Sequence, residues 1–126
     1  MIGFVMVGTN DLDKAIKFYD TILETINLKR AVTNEKYAGY SSKEKPEYIE
    51  FYVTNPTNKE KATYGNGVQI SFIVNSKETV NKFYNLGIKL GGKDEGEPGI
   101  RSSGEYYCYL RDLDGNKICA FAKINN

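Results

Sequence analysis

The segment "AIKFYD" at residues 15–20 returns as "VNKFYN" at residues 80–85, which is an offset of 65 positions. At that offset "FVMVGTNDLDKAIKFYD" lies over "QISFIVNSKETVNKFYN" without a gap. Each copy begins with an apolar run, passes an Asn and enters a segment with the apolar spacing of a helix. A single long repeat of this kind predicts a pseudo-symmetric domain with a site between its halves. The alternative is an ordinary α+β domain with two similar amphipathic helices.

The composition of the chain excludes several classes of function. The chain has 126 residues, 40% of them apolar and 26% charged, which predicts one globular domain over residues 1–126. Its 17 basic and 16 acidic residues nearly cancel, so tight binding to nucleic acid or to an anionic membrane has no electrostatic basis. It has no histidine, which removes the commonest metal ligand and the commonest general base near neutral pH.

The apolar start "MIGFVMVGTND" (residues 1–11) is short, lacks a basic leader and runs directly into the first repeat. It is typical of a strand and not of a signal peptide. No segment approaches the length needed to span a membrane. The sequence therefore predicts a soluble, cytoplasmic protein.

Hydrophobic periodicity and turn residues predict the order β-α-β-β-β in each half. The first half covers about residues 1–57 and the second about 67–123, with a polar linker rich in Gly and Pro at about 55–66. Strand candidates lie at residues 2–8, 28–33, 36–40, 47–53 and 67–74, and the second helix is predicted at about 76–86. The segment "GGKDEGEPGIRSSGE" (residues 91–105) is predicted to be a loop.

The boundaries of the two helices follow from capping residues. Asn10, with Asp13 three residues later, is predicted to be the N-cap of the first helix, and Asn75 with Glu78 repeats that arrangement. Gly87 is predicted to end the second helix, because glycine is favoured just after a helix terminus.

The last hairpin can be predicted in register. "DLDGN" (residues 112–116) places Gly115 where a type I turn followed by a bulge needs a left-handed residue. That turn pairs Tyr109 with Cys119 and puts both on one face of the sheet with Tyr107 and Phe121. Cys108 then lies on the opposite face, so the two cysteines are predicted to be free thiols. A slip of one residue would place both cysteines on one face.

Doubled β-α-β-β-β halves, the helix start "NDLDKAIKFY" and the closing "RDLDGNKI" resemble the vicinal oxygen chelate superfamily, the glyoxalase, bleomycin-resistance and extradiol-dioxygenase group. The resemblance spans nearly the whole chain and is specific to the fold, not to a reaction. It implies an α+β protein in which two pseudo-symmetric βαβββ modules form a curved sheet around a cleft. The superfamily usually has Pro in this turn, where Leu113 stands.

Glyoxalase-like members hold a divalent metal with four inward side chains, and the resemblance places those positions on Phe4, Glu50, Gln69 and Cys119. Phe has no donor atom and Gln is a weak ligand, so the set is a poor site for Mg, Ni or Zn. No cofactor is therefore expected, and a divalent metal is the alternative. Glu50 is the candidate catalytic residue, because a carboxylate on a strand face must be paired or exposed to water.

Side chains two residues from these positions share their face of the sheet and complete the predicted cleft wall. Arg101 is added as a loop residue that could receive a carboxylate or phosphate. The predicted ligand-binding residues are Phe4, Met6, Glu50, Tyr52, Gln69, Ser71, Arg101, Tyr107, Tyr109, Cys119 and Phe121. Such a wall suits a flat or amphipathic small molecule. Burial and the nearby Glu50 carboxylate are expected to raise the pKa of Cys119, making it a slow nucleophile.

Three hypotheses for the function remain open at this point. The first is a metal-free protein that binds a small, partly aromatic molecule and is not an enzyme. The second is a glyoxalase-type lyase or isomerase that uses Glu50 or a divalent metal. The third is an interaction module with no small ligand. In each case a homodimer is expected, because members of the superfamily often build each cleft from two chains and because open strand edges need cover.

Overall fold

Among the residues that the structure describes, ten elements follow the predicted doubled β-α-β-β-β order. The computed structural model describes residues 1–124. The elements are β1 (Val5–Gly8), α1 (Leu12–Glu24), β2 (Leu28–Thr33), β3 (Tyr37–Ser42), β4 (Ile49–Thr54), β5 (Ile70–Val74), α2 (Lys77–Lys89), β6 (Lys93–Ile100), β7 (Tyr106–Arg111) and β8 (Lys117–Ala122). No helix among these residues is long and apolar enough to cross a membrane.

Two four-stranded sheets repeat one topology. The first sheet has the order β1-β4-β3-β2 and the second has the order β5-β8-β7-β6. In each sheet the first strand pairs in parallel with the last strand of its half, and the other pairs are antiparallel. The predicted α+β fold of two βαβββ modules is confirmed.

The predicted N-caps were wrong by one residue in both helices. Asp11 caps α1 by accepting a hydrogen bond from the Lys14 amide at 3.2 Å, and Ser76 caps α2. Asn10 instead binds the linker, since its Oδ1 accepts from the Ala62 amide at 2.8 Å and its Nδ2 donates to the Ala62 carbonyl at 3.3 Å. Asn10 and Asp11 are both favourable N-cap residues, and Asp11 caps the helix because the Asn10 side chain is bonded to the linker.

Gly87 does not end the second helix, contrary to the prediction. The helix α2 continues to Lys89, and Gly87 is buried within it. A Cβ atom at this position would collide with Cδ1 of Leu110 and would lie 3.9 Å from Cγ2 of Ile22, the residue one repeat length earlier. The glycine therefore permits close packing of α2 on the second sheet and on α1.

Strand β6 lies inside the segment predicted to be a loop. It pairs with Tyr106–Arg111 through two irregularities, one between Asp94 and Gly96 and one between Gly96 and Gly99. Glycines, a proline and charges give this segment no alternating pattern, so its pairing with β7 decides its conformation.

The predicted hairpin register is confirmed. Tyr109 lies opposite Cys119 and Tyr107 opposite Phe121. Gly115 has φ +90°, and the Asp112 amide donates to the Asn116 carbonyl at 2.9 Å to close the turn. Both cysteines are free and buried, as predicted.

A single hydrophobic core joins the two halves. The Phe51 ring from the first half lies 5.6 Å from the Phe72 ring of the second, and the buried Tyr19 hydroxyl donates to Asp112 across the same boundary. The fully buried core side chains of largest volume are Tyr19, Tyr40, Phe18, Phe51, Phe83, Ile22, Leu23, Leu110, Ile118, Val53 and Val80. Both sheets cover this core with one face, which leaves their other faces open to solvent.

Candidate functional site

The open face of the first sheet carries a neutral aromatic cluster. Met6 lies opposite Tyr52 on the neighbouring strand. The centre of the Tyr52 ring is 5.0 Å from that of Phe4 and 5.5 Å from that of Tyr37, and both ring pairs are edge to face. Phe4 is 55% exposed and Met6 48% exposed. Large apolar side chains standing together on a sheet face in this way are a feature of interaction or ligand sites.

Glu50 lies beside this cluster and is exposed to water, which removes the cost of burying its charge. Together with Phe4 and Tyr48 it lines an open depression of about 230 Å³. Ser71 of the second sheet lines the same depression. Of the predicted site residues, Phe4, Glu50 and Ser71 are therefore brought together between the two sheets.

The open face of the second sheet carries parallel rings. Tyr107 lies between the other two rings, 5.8 Å from Tyr109 at an interplanar angle of 8° and 5.0 Å from Phe121 at 13°. We call these three residues the aromatic stack. Ser71 and Cys119 continue the row of Tyr109 across the sheet. All the predicted residues of this half except Arg101 come from strand β5, β7 or β8 or from the residue before β5.

Two cations lie against the aromatic stack. The Arg101 guanidinium carbon is 5.6 Å from the centre of the Tyr109 ring, and the Lys117 ammonium is 5.1 Å from it. Arg101 was predicted from its loop position, but Lys117 was not. The signal for Lys117 was its spacing, because it stands two residues before Cys119 on the same face of β8.

The comparisons with known proteins agree with this architecture. The family model of the Glyoxalase/Bleomycin resistance protein/Dioxygenase superfamily matches residues 1–120. The chain belongs to this superfamily. Among curated proteins, none matches the chain significantly.

Solved structures of superfamily members extend the likeness. A glyoxalase/bleomycin resistance protein from Albidiferax ferrireducens T118 is 41% identical, with a TM-score of 0.89 over 98% of this chain and 99% of that one. A glyoxalase-related enzyme from Fulvimarina pelagi is 15% identical, with a TM-score of 0.78 over 98% and 88% of the two chains. A lactoylglutathione lyase from Agrobacterium tumefaciens is 17% identical, with a TM-score of 0.68 over 97% and 92%. The last two show the fold alone.

The four residues that the sequence resemblance places at the metal positions fit a divalent ion poorly. Phe4 offers no donor atom, and the Gln69 amide nitrogen donates to the Ser71 hydroxyl at 2.9 Å. Within residues 1–124 there is no group of three or more His, Cys, Asp or Glu side chains placed to hold a metal. Glu50 and Cys119 remain as candidate ligands, and they are a hard and a soft donor.

Cys119 is buried on the open face of the second sheet, beneath the side chains around it. Burial raises the pKa of its thiol, and the neighbouring Ser71, Lys117 and Arg101 lower it without reversing that direction. The predicted contribution of Glu50 to this pKa is absent, and positive charges stand in its place. The thiol is therefore largely protonated at neutral pH, which makes it a slow nucleophile.

Proposed function

We propose that this superfamily member binds a small, partly aromatic molecule between its open faces and needs no metal to do so. The observation that carries the proposal is the kind of side chain found at the positions where the superfamily usually binds a metal. The positions that the resemblance assigns to the metal hold a phenylalanine, a glutamine and the unlike donors Glu50 and Cys119, which together make a poor metal site, and two clusters of aromatic side chains lie beside them. Apolar walls with a few polar groups are typical of small-molecule sites.

A homodimer is part of the same proposal. Exposed apolar side chains on both open faces favour cover by a second copy. Two edge strands of the sheets add to this, because β1 ("VMVG") and β5 ("ISFIV") carry no charged residue, whereas the edge strands β2 and β6 carry lysines. Light scattering at micromolar concentration should give about twice the chain mass of 14.2 kDa. A clean monomer would remove the dimer from the proposal.

The binding proposal is tested on the full-length protein purified without added metal. Mass spectrometry of the denatured extract should find an organic molecule that Tyr109→Ala loses and Tyr84→Ala, an aromatic change on the second helix, retains. Elemental analysis of the same sample should find divalent metal far below one equivalent. A stoichiometric divalent ion whose removal abolishes an activity would overturn the metal-free proposal.

A second candidate function is a lyase or isomerase of glyoxalase type that uses Glu50 as general base. It is favoured by the position of Glu50 in the depression shared with Phe4 and Ser71. Turnover of a hemithioacetal that disappears in Glu50→Gln and persists in Glu47→Gln would establish this function. If no small molecule is bound or converted while the dimer forms, the chain is an interaction module.

A further inference from the structure

Arg101 differs from the other two arginines of the chain. Arg30 forms two hydrogen bonds to Asp20, at 3.0 and 3.1 Å, and Arg111 lies 3.4 Å from Glu95. Within residues 1–124 no carboxylate lies within ion-pair distance of the Arg101 guanidinium or of the Lys117 ammonium. Arginine presents five N–H donors in a planar fork, so Arg101 keeps donors for a carboxylate from outside the chain.

The position of Arg101 over the sheet is built by two glycines of β6. A Cβ atom on Gly96 would lie 3.1 Å from Nη2 of Arg101 and 2.8 Å from Cδ2 of Tyr109. A Cβ atom on Gly99 would lie 2.9 Å from Nη1 of Arg101. Neither glycine has a positive φ, so both are needed for space and not for backbone conformation. The guanidinium also donates to the Glu97 carbonyl at 2.6 Å, which fixes its orientation.

We infer that the open face of the second sheet binds a flat aromatic carboxylate, with its ring on the aromatic stack and its carboxylate on Arg101 and Lys117. The inference rests on the proposed function and names the class of ligand. Because the three rings stack nearly parallel, their faces cover one another, and a ligand ring would pack on an outer face of the stack or across its ring edges. The two cations at the Tyr109 end supply the charge complement.

The local charge favours a ligand with one negative charge. Arg101 and Lys117 contribute two positive charges, and the Glu105 carboxylate, which accepts a hydrogen bond from the Tyr107 hydroxyl at 3.2 Å, contributes one negative charge. A doubly charged phosphate would leave an excess of negative charge here, and a cationic ring would stand against two like charges. Among the described residues no cation lies over the rings of the first sheet, and Glu50 stands beside its aromatic cluster.

The test uses three probes that share one ring system: 2-naphthoate, neutral 2-naphthamide and cationic 2-naphthylmethylammonium. Isothermal titration of the native protein at pH 7 should show that the carboxylate binds about tenfold more tightly than the amide, and that the ammonium does not bind. Equal affinity for carboxylate and amide would overturn the inference.

Variants then assign the charge to its residues. Arg101→Gln should weaken 2-naphthoate about tenfold and 2-naphthamide less than twofold, and Lys117→Gln should act in the same direction with a smaller effect. The matched control is Arg30→Gln, which removes the same group from the edge of the first sheet and should leave both affinities unchanged. Equal affinities of Arg101→Gln and wild type for 2-naphthoate would overturn the assignment.

Gly96→Ala provides a second route that keeps every charge. Its methyl group displaces Arg101 or Tyr109, so 2-naphthoate binding should weaken while circular dichroism shows the fold retained. Unchanged 2-naphthoate binding in this variant would count against the glycine-built site. Binding of the amide but not of the carboxylate would overturn this inference and support the proposed function. Binding of no probe would overturn this inference alone, since the co-purification experiment tests the proposed function separately.

Discussion

Tyr19 and Tyr84 occupy equivalent positions in the two helices, one repeat length apart, but their hydroxyls form different kinds of hydrogen bond. The Tyr19 hydroxyl is buried and donates to Asp112 in the hairpin of the other half, at 2.5 Å. The Tyr84 hydroxyl donates to Asp94, in the neighbouring β6 of its own half, at 2.9 Å, and this bond is exposed. The repeat therefore fixes where a tyrosine stands, and the tertiary structure decides whether its hydroxyl joins the halves.

The buried Asp112 carboxylate is the centre of a hydrogen-bond network that joins the two halves. The carboxylate accepts from Tyr19, from the Asn116 side chain at 2.9 Å and from the amides of Asp114 and Asn116, each at 2.9 Å. Asn116 continues the set to the Gly8 carbonyl in β1 at 3.0 Å. Burial raises the pKa of Asp112 although these bonds lower it, and burial and Asp112 both raise the pKa of Tyr19.

The open faces of the two sheets also differ, in the geometry of their rings and in the charges beside them. Edge-to-face rings and Glu50 mark the first sheet, and parallel rings with Arg101 and Lys117 mark the second. One topology thus supports two chemistries, because residues facing away from the core are free of the packing that keeps the halves alike.

The largest effect is expected from removing the carboxylates that accept from the two tyrosine hydroxyls. Asp112→Ala should lower the free energy of unfolding by roughly 3–5 kcal/mol, because Tyr19, Asn116 and the turn amides lose a buried acceptor. Asp94→Ala should lower it by less than about 1 kcal/mol, because its bond to Tyr84 is exposed. Urea unfolding of both variants checks this, and equal losses would contradict the asymmetry.

Cys108 gives the next largest effect on stability, in alkaline solution. Cys108 is fully buried, and burial raises the pKa of its thiol to about 12. Because the folded pKa lies above the unfolded one, the stabilisation is complete below about pH 8.5 and is lost as the pH rises toward 12. Between pH 9 and 10.5 the free energy of unfolding should fall about 2 kcal/mol less in Cys108→Ala than in wild type.

Two buried tyrosines add the same pH dependence to the stability of wild type and variant. Burial also raises the pKa of Tyr19 and Tyr40, so both destabilise the fold above pH 10 in wild type and variant alike. Parallel pH profiles for wild type and Cys108→Ala would show that folding does not raise the pKa of Cys108.

Gly87→Ala adds a methyl group where α2 packs on Leu110 and on Ile22 of α1. The added methyl group collides with Leu110 in the core, and the resulting overpacking should outweigh the better helix propensity of alanine by about 1 kcal/mol. Asn85→Ala, on the exposed side of the same helix, should be neutral or stabilising. Thermal melts check both, and Leu110→Val should restore the stability of Gly87→Ala if the collision is the cause.

The smallest effect on stability is expected at Cys119. Cys119→Ser should retain folding, within about 1 kcal/mol of wild type, and the proposed dimer, but change the affinity for the molecule proposed to bind on the open face. Native protein should react slowly with a thiol reagent at pH 7, because burial raises the pKa of this thiol. Fast labelling of Cys119 would favour the enzyme over the binding protein.

Much of this architecture followed from the sequence because its signals are local or repeated. The 65-residue offset gave the doubled β-α-β-β-β order, and the turn at Gly115 gave the register of β7 and β8, since a bulged hairpin turn and the period of two leave one pairing. The same parity placed Tyr107, Tyr109 and Phe121 on one face, where they lie.

Only the tertiary structure decided the rest, because contacts distant in sequence overrode local preference. Gly87 has the local character of a helix end, but packing against Leu110 keeps it inside the helix. The glycine-rich β6 has no strand pattern of its own and becomes a strand by pairing with β7. That pairing also brings Arg101 over Tyr109, a contact that no spacing in the chain predicts, whereas Lys117 reaches the same ring from a position that the spacing of β8 could have shown.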